Sequence, residues 1–203
     1  MGRRRYEVLK VLQDGGFDPC LWSEDALGYY GVPTVVFELY ILLPDSSLES
    51  AKSLLESTPD YVLFPPAPET QLTGLSYFLP YDSYRFKEPE SEIGIQLLPS
   101  EEFAQFTISE TTTVREEKSL FPRLSNFIDA LVYQYLRPAQ TEAEFEYRAH
   151  LGVHLFYLGD YARARVDILS MLSPRAHKVW IDILNGEFVF GDAGVKYYNN
   201  IEG

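Results

Sequence analysis

The stretch WSEDALGYYGVPTVVFELYILLPDS, residues 22–46, carries the strongest strand signal in the chain. Side chains alternate along a strand, so residues 34–43 are predicted to form a central strand with one wholly apolar face. The residues of that face are Val35, Phe37, Leu39, Ile41 and Leu43. Glu38 and Tyr40 fall together on the opposite face. The pattern therefore predicts a carboxylate beside a phenol on one face of a sheet.

Helices are predicted on both sides of this strand. Apolar residues recur at helical spacing over 5–14 and again over 47–57. Between them, Ser23 is predicted to be the N-cap of a short helix that ends at Gly31 and Pro33. The strand at 34–43 therefore lies between helical segments, which is typical of an α/β fold.

Two further apolar runs predict additional strands. Residues 61–66, YVLFPP, are expected to form a short buried strand that stops at the prolines, and residues 92–99, EIGIQLLP, a second apolar strand. Residues 65–92 are rich in Pro, Tyr, Glu and Asp and are expected to be irregular, with a short strand near LSYFLPY, 75–81. Together these elements predict an α/β domain over residues 1–115, a mixed sheet with flanking helices.

The C-terminal part of the chain has a different pattern. Residues 119–136 and 174–186 have helical periodicity, and the tail at 197–203 is expected to fray. We therefore predict a helical C-terminal subdomain, residues 116–203, packed as a bundle on the sheet domain.

Within that subdomain, residues 142–172 are predicted to form two antiparallel helices that turn near Gly159-Asp160. The residues expected to be buried there are Leu151, Leu155 and Ile168. The spacing of small residues resembles one tetratricopeptide unit, but the sequence has no second copy and such repeats need about three to be stable. Close packing of a helical hairpin is the preferred interpretation.

Composition limits the classes of partner. The 203 residues carry a formal net charge of −13 and a pI of about 4.6, which argues against a nucleic-acid partner because phosphate binding needs clustered Lys and Arg. No apolar run is long enough for a secretion signal or a membrane span. Cys20 is the only cysteine, so no intramolecular disulfide can form. A cytoplasmic protein without a membrane partner is predicted.

The stretch around the central strand resembles the nucleotidyltransferase-fold family, in particular abortive-infection-type toxins and their fungal relatives. The segment CLWSEDALGYYGVPTVVFELYILLPD follows the family pattern of a small-residue turn, a short helix with Ala, a YGVP-like segment and a strand with two alternating acids. Ala26 matches the helix Ala, Glu38 falls on the first acid and Tyr40 on the second. The third acid of the family would fall within IGIQLL, where the candidate positions hold Gly94 and Gln96.

The resemblance implies a nucleotide pocket, but one that lacks most of its ligands. The candidate pocket residues are Ser23, Glu24, Glu38, Tyr40 and Gln96. Active relatives hold two Mg²⁺ ions with carboxylates, and a tyrosine hydroxyl is a poor substitute for a carboxylate. Ser23-Glu24 also replaces the family's glycine turn, and Thr34 stands where a cation is common. We therefore predict a catalytically degenerate protein, with no cofactor, that acts in nucleotide sensing or in binding a partner protein.

Two alternatives remain open on the sequence alone. The chain could be an active nucleotidyltransferase that uses Mg²⁺, with Glu38 and other acids such as Asp45 or Glu92 as ligands. It could instead be an adaptor that binds a partner through its C-terminal helices. Glu38 itself has two interpretations. Its carboxylate could be paired with a nearby base or simply solvated, or it could be a ligand of a metal ion or a nucleotide. The sequence does not predict an oligomeric state.

Two other groups of residues are candidates for a function. His150 and His154 are four residues apart on a predicted helix and so share a face, as zinc-binding pairs do. A zinc site needs three or four ligands, no third ligand is evident and His177 is remote, so no metal site is predicted. The aromatic-rich segment FLPYDSYRF, 78–86, is a candidate surface for a protein partner.

Overall fold

The structure, a computed structural model, describes residues 6–35, 38–64, 83–87, 94–103, 106–117, 119–162 and 166–200. These residues contain seven strands and seven α-helices. None of the described helices has both the length and the apolar character needed to cross a bilayer.

The strands form one mixed sheet. In chain order they are β1 Cys20–Leu21, β2 Glu38–Leu43, β3 Val62–Phe64, β4 Tyr84–Lys87, β5 Gly94–Pro99, β6 Thr113–Glu116 and β7 Ser119–Pro122. Their order across the sheet is β3-β4-β5-β2-β1-β7-β6. The pairs β2–β5 and β1–β7 are parallel, and the other neighbours are antiparallel. The predicted mixed α/β fold is confirmed.

The central position of β2 explains why both of its faces are apolar apart from Glu38. All six residues of the strand are buried, because helices cover both faces of the sheet. The strand is shorter than predicted: it begins at Glu38, and Val35 lies outside it with 69% of its surface exposed. The expectation that Val35 belongs to the buried face was therefore wrong, and Phe37 lies outside the described residues.

One face of the sheet packs against α1 (Glu7–Asp14) and α3 (Asp45–Glu56). Both helices were predicted from their periodicity and are confirmed. Most of the buried residues of this layer come from β2, β5 and the two helices: Val8, Leu9, Leu12, Leu39, Ile41, Leu43, Ala51, Leu55, Ile95 and Leu97. Leu21 of β1, Tyr61 and Phe86 of β4 complete it. Strand alternation thus assigns the odd-numbered positions of β2 to this core.

The other face packs against the short helix α2 (Glu24–Tyr29) and the C-terminal helices. These are α4 Leu124–Leu136, α5 Glu142–Tyr161, α6 Pro174–Asn185 and α7 Gly191–Asn199. Tyr40 and Leu42 of β2 share this core with residues of α2, α4, α5 and α6. The predicted subdomain boundary at residue 115 lies within β6, and β7 follows it as part of the sheet.

The position of the turn in the predicted helical hairpin was wrong. Helix α5 continues through Gly159 and Asp160 to Tyr161, and a 3-10 helix follows at Val166–Met171. A Cβ atom at Gly159 would overlap Cγ2 of Ile183, so this glycine lets α5 and α6 approach closely rather than turning the chain. Leu151, Leu155 and Ile168 are buried, as predicted.

Three further expectations need correction: the fraying of the tail, the burial of β3 and the irregular structure of residues 65–92. The tail does not fray at Tyr198, because this residue lies in α7, is fully buried and donates a hydrogen bond to Asp182 at 3.1 Å. Strand β3 is an exposed edge strand rather than a buried one. Strand β4 was missed within the segment expected to be irregular, and the short strand expected at 75–81 lies outside the described residues.

Candidate functional site

The candidate nucleotide site is built on the centre of the sheet. Glu38 and Tyr40 are alternate residues of β2 and lie on one face, as the sequence predicted. Strand β5 runs parallel beside them and pairs Gly94 with Glu38 and Gln96 with Tyr40. The two positions that the family resemblance assigned to a third acid therefore lie next to the first two. Neither is acidic.

Glu38 forms an ion pair with Arg85 of β4. Arg85 Nη2 donates to Glu38 Oε1, and only 3% of the carboxylate side chain is exposed, against 22% of the arginine side chain. A Cβ atom at Gly94 would lie 2.8 Å from Glu38 Oε1 and 3.2 Å from Arg85 Nε. The glycine thus provides the space that the pair occupies. Of the sequence interpretations of Glu38, a carboxylate paired with a nearby base is the one that this contact favours.

The remaining pocket candidates lie inside the protein. Ser23, Glu24, Glu38, Tyr40 and Gln96 are each at most 3% exposed. Gln96 uses its Nε2 to donate to Ser83 Oγ at 2.6 Å. A triphosphate therefore meets no open surface at these five side chains.

Ser23 is the N-cap residue of helix α2, as the sequence predicted, but its side chain makes no capping hydrogen bond. Its φ angle is +54°, which is uncommon for a residue other than glycine, and its hydroxyl accepts no capping hydrogen bond. In the described part of the chain the buried Oγ has no hydrogen-bond partner. Ser23 thus has a side chain where the family that this stretch resembles has a glycine turn, and its backbone has a conformation that glycine prefers.

The structure brings Glu24 next to the two histidines of α5. One ligand atom from each of Glu24, His150 and His154 can be chosen so that all three lie within 4.8 Å of one another. The two imidazole rings meet edge to face, with centroids 4.3 Å apart. Sequence reasoning missed this cluster because Glu24 is far from the histidines along the chain, and periodicity gives no information about which helices meet.

Burial keeps both imidazoles neutral. It lowers the pKa of His150, and it lowers the pKa of His154 well below its usual value, with the neighbouring His150 adding to the effect. Neutral imidazoles have a nitrogen lone pair that can bind a cation. Two imidazoles and a carboxylate are ligands that suit a transition metal, and among the described residues this is the one such group of three.

Cys20 has no sign of reactivity. It is fully buried at the start of the first strand, and burial raises the pKa of its thiol. A protonated, inaccessible thiol is a weak nucleophile, so the surroundings of Cys20 support a role as a small buried hydrophobic residue.

Helix α5 also carries an exposed apolar stripe. Its members lie on one half of the helix circumference, opposite the buried Leu151, Leu155 and Leu158: Phe145, Val153, Phe156, Tyr157 and Tyr161. The aromatic segment at 78–86 is a weaker candidate surface in its described part, because Phe86 is fully buried. Residues 78–82 lie outside the described part.

Comparison with known proteins gives only distant similarity. No protein-family model matches the sequence, and no curated protein matches it either. Two crystal structures from Helicobacter pylori are similar over most of the chain. The JHP933 structure has 13% sequence identity and a TM-score of 0.34, and the match covers 94% of this chain and 84% of that one. A provisionally assigned nucleotidyltransferase has 12% identity and a TM-score of 0.35, with 98% and 92% covered. Scores this low do not establish a common fold.

Proposed function

We propose that this chain is a nucleotidyltransferase-like scaffold that transfers no nucleotide and acts by binding a partner protein. The ion pair between Glu38 and Arg85 is the observation that supports the absence of nucleotide transfer. Two-metal phosphoryl transfer needs carboxylates that are free to share Mg²⁺ ions and to neutralise the charge of the phosphates. Here the carboxylate at the first acid position already neutralises a guanidinium.

Arg85 opposes a metal ion at this position in a simple electrostatic way. A Mg²⁺ ion bonds to carboxylate oxygens at about 2.0–2.1 Å, so it would lie within a few ångströms of the fixed positive charge of the arginine. Like charges this close in a partly buried site repel by several kcal/mol, on the order of 4 kcal/mol per unit of charge at 4 Å. Tyr40, Gly94 and Gln96 supply no second carboxylate that would offset the repulsion.

The test of this proposal is nucleotide transfer itself. The purified chain is incubated with radiolabelled nucleoside triphosphates, with Mg²⁺ or Mn²⁺, and with cell extract as a source of acceptors. We expect no incorporation of label above that of a Glu38→Ala variant, and no Mg²⁺-dependent triphosphate binding in calorimetry. Asp45→Ala is the second variant, because Asp45 is the alternative metal ligand that lies within the described residues. Incorporation by the wild-type chain that is lost in either variant would show an enzyme.

The exposed stripe of α5 favours a protein rather than a nucleotide as the partner. A nucleotide would have to reach side chains that are at most 3% exposed, whereas the stripe is already at the surface. Clustered aromatic and aliphatic side chains at a surface are typical of the centre of a protein interface. The adaptor interpretation, in which the C-terminal helices bind the partner, is therefore part of this proposal.

Site-specific photo-crosslinking can test the stripe. A photoreactive amino acid replaces Val153 or Tyr157 in the stripe, and Met171, which is 67% exposed and lies outside α5, is the control position. We expect the same discrete cross-linked product from both stripe positions and none from Met171. Equal labelling at all three positions, or no product at the stripe, would contradict the proposed interface. The mass of the product distinguishes a different protein from a second copy of this chain.

A further inference from the structure

The cluster of Glu24, His150 and His154 lies where the sheet domain meets the C-terminal helices. Glu24 is the first residue of α2, which follows β1, and the two histidines are one turn apart near the middle of α5. Glu24 is 2% exposed and His154 is 4% exposed, while His150 is half-buried. The cluster thus lies on the inner side of α5, and two of its three residues, Glu24 and His154, are shielded from solvent.

The backbones that carry these residues are held in place by packing. Ala26 and Leu27 of α2 and Leu151 and Leu155 of α5 belong to the same buried core. A binding site placed on packed helices keeps its geometry better than one placed on loops. The separation between the backbone of Glu24 and that of the two histidines is therefore set by the packing of α2 and α5.

Two of the histidine nitrogen atoms have no hydrogen-bond partner among the described residues. His150 Nε2 and His154 Nδ1 are buried, and neither has a hydrogen-bond partner within the described part of the chain. A buried polar atom without a partner costs about 1–3 kcal/mol, so native proteins rarely leave one unless a water molecule or an ion completes it. His154, with 4% exposure, is the stronger of the two observations because bulk water cannot reach it.

The set of donors indicates which ligand could complete these atoms. Two imidazole nitrogens and one carboxylate oxygen are the protein ligands of a common class of zinc site, and imidazole also suits Co²⁺, Ni²⁺ and Cu²⁺. A tetrahedral zinc ion with bonds of about 2.0–2.1 Å holds its ligand atoms roughly 3.3–3.4 Å apart. The separations of up to 4.8 Å come within reach of that value after small side-chain rotations.

We propose that Glu24, His150 and His154 bind a divalent transition-metal ion, with zinc the best match to this donor set. Three protein ligands leave the fourth position of a tetrahedral ion to a water molecule or a small anion. The ion would connect α2 to α5 and so tie the sheet to the helical layer. Its ligands do not include Glu38, the residue at the first acid position, and the proposal does not depend on whether the chain transfers nucleotides.

The first test is metal content and metal titration of the intact chain, purified without a histidine tag. We expect close to one equivalent of zinc by mass spectrometry of the native protein. After chelation, Co²⁺ is expected to restore one equivalent and to give the intense visible absorption of a tetrahedral site, which Zn²⁺ then abolishes by displacement. A correctly folded wild-type chain that binds neither Co²⁺ nor Zn²⁺ at a one-to-one ratio would overturn the proposal.

The second test uses variants that conserve shape. Loss of an outer-shell partner already weakens metal binding 10–100-fold, so His154→Gln, His150→Gln and Glu24→Gln are each expected to weaken binding by at least about 100-fold. His177→Gln is the matched control, since His177 is exposed on α6 and outside the cluster, and it should bind like the wild type.

Thermal unfolding checks that the variants are folded and gives an independent readout. Added Zn²⁺ should raise the unfolding temperature of the wild type and of His177→Gln, because the ion binds the native state, and should leave the three ligand variants unchanged. Zinc binding that survives in His154→Gln, or that is lost in His177→Gln, would assign the metal to another site and refute the proposal.

Discussion

Replacing Arg85 by methionine tests whether the carboxylate of Glu38 is committed to an ion pair. Methionine keeps much of the apolar stem of arginine, so the change removes the charge with little loss of packing. Glu38 keeps its burial, with 3% of its side chain exposed, but loses the guanidinium that accompanies it. We expect Arg85→Met to lower the free energy of unfolding by about 3 kcal/mol.

The magnitude follows from the burial of the two side chains. Removing one partner of a fully buried pair costs about 3–5 kcal/mol, whereas an exposed pair contributes about 1 kcal/mol or less. Arg85 is 22% exposed, so water reaches part of the site and the lower end of the first range applies. Glu38→Gln should cost only about 1–2 kcal/mol, because the freed arginine can turn its charge toward solvent.

The assay is urea unfolding followed by circular dichroism, with the two single variants and their double variant as a cycle. Because Arg85→Met leaves a buried charge and Glu38→Gln removes that charge, the double variant should be more stable than Arg85→Met alone. A coupling free energy of about 1–3 kcal/mol is expected. Arg115→Met is the matched control: its pair with Asp18 is 52% and 72% exposed, so the loss should not exceed about 1 kcal/mol.

Two results would refute this reasoning. If Arg85→Met costs no more than Arg115→Met, the Glu38–Arg85 contact contributes as little as a surface pair. If the effects of Arg85→Met and Glu38→Gln simply add, the two side chains are not coupled. In either case Glu38 would be available to a metal ion, and the argument against nucleotide transfer would lose its main support.

Three further substitutions test the helical layer by the same unfolding measurement. Leu155→Ala should cost about 2–5 kcal/mol, since Leu155 is fully buried in α5, and an unchanged stability would place it at the surface. Gly159→Ala should cost about 1–3 kcal/mol by overlap with Ile183, in spite of the better helix propensity of alanine. Gly28→Ala, which meets nothing within 4 Å in α2, should instead gain up to about 1 kcal/mol. Equal effects at the two glycines would contradict the close approach of α5 and α6.

The sequence predicted elements whose periodicity is set by burial on one or both faces. Helices α1 and α3 were found because their apolar residues recur every three or four positions. Strand β2 was found because its alternate residues form an apolar face, and β5 because most of its residues are apolar. Strand β4 was missed because its alternation covers only four residues of mixed polarity. The exposure of β3 was misjudged because an apolar run does not reveal whether it lies at the edge of a sheet.

The candidate site was predictable only where local spacing determines it. The adjacency of Glu38 and Tyr40 follows from strand geometry, and that of His150 and His154 follows from helix geometry. Arg85 and Glu24 became neighbours of these pairs through the order of strands and the packing of helices, which no local pattern contains. Both partners change the chemistry: Arg85 neutralises a carboxylate, and Glu24 adds a third donor to a histidine pair.

Tyr40→Asp is the substitution that would restore the second acid of an active nucleotidyltransferase, and the structure predicts that it fails. Tyr40 is 1% exposed and belongs to the core shared by the sheet and the C-terminal helices, so loss of its ring should cost at least about 3–5 kcal/mol. The new carboxylate would be buried near Glu38, where Arg85 can neutralise one negative charge. We therefore expect a large loss of stability in urea and no transfer of labelled nucleotide. A stable Tyr40→Asp variant that incorporates label would show that the sheet face with Glu38 and residue 40 can open to a triphosphate. In that case the missing second acid, and not the burial of this face, would be what separates the chain from an active enzyme.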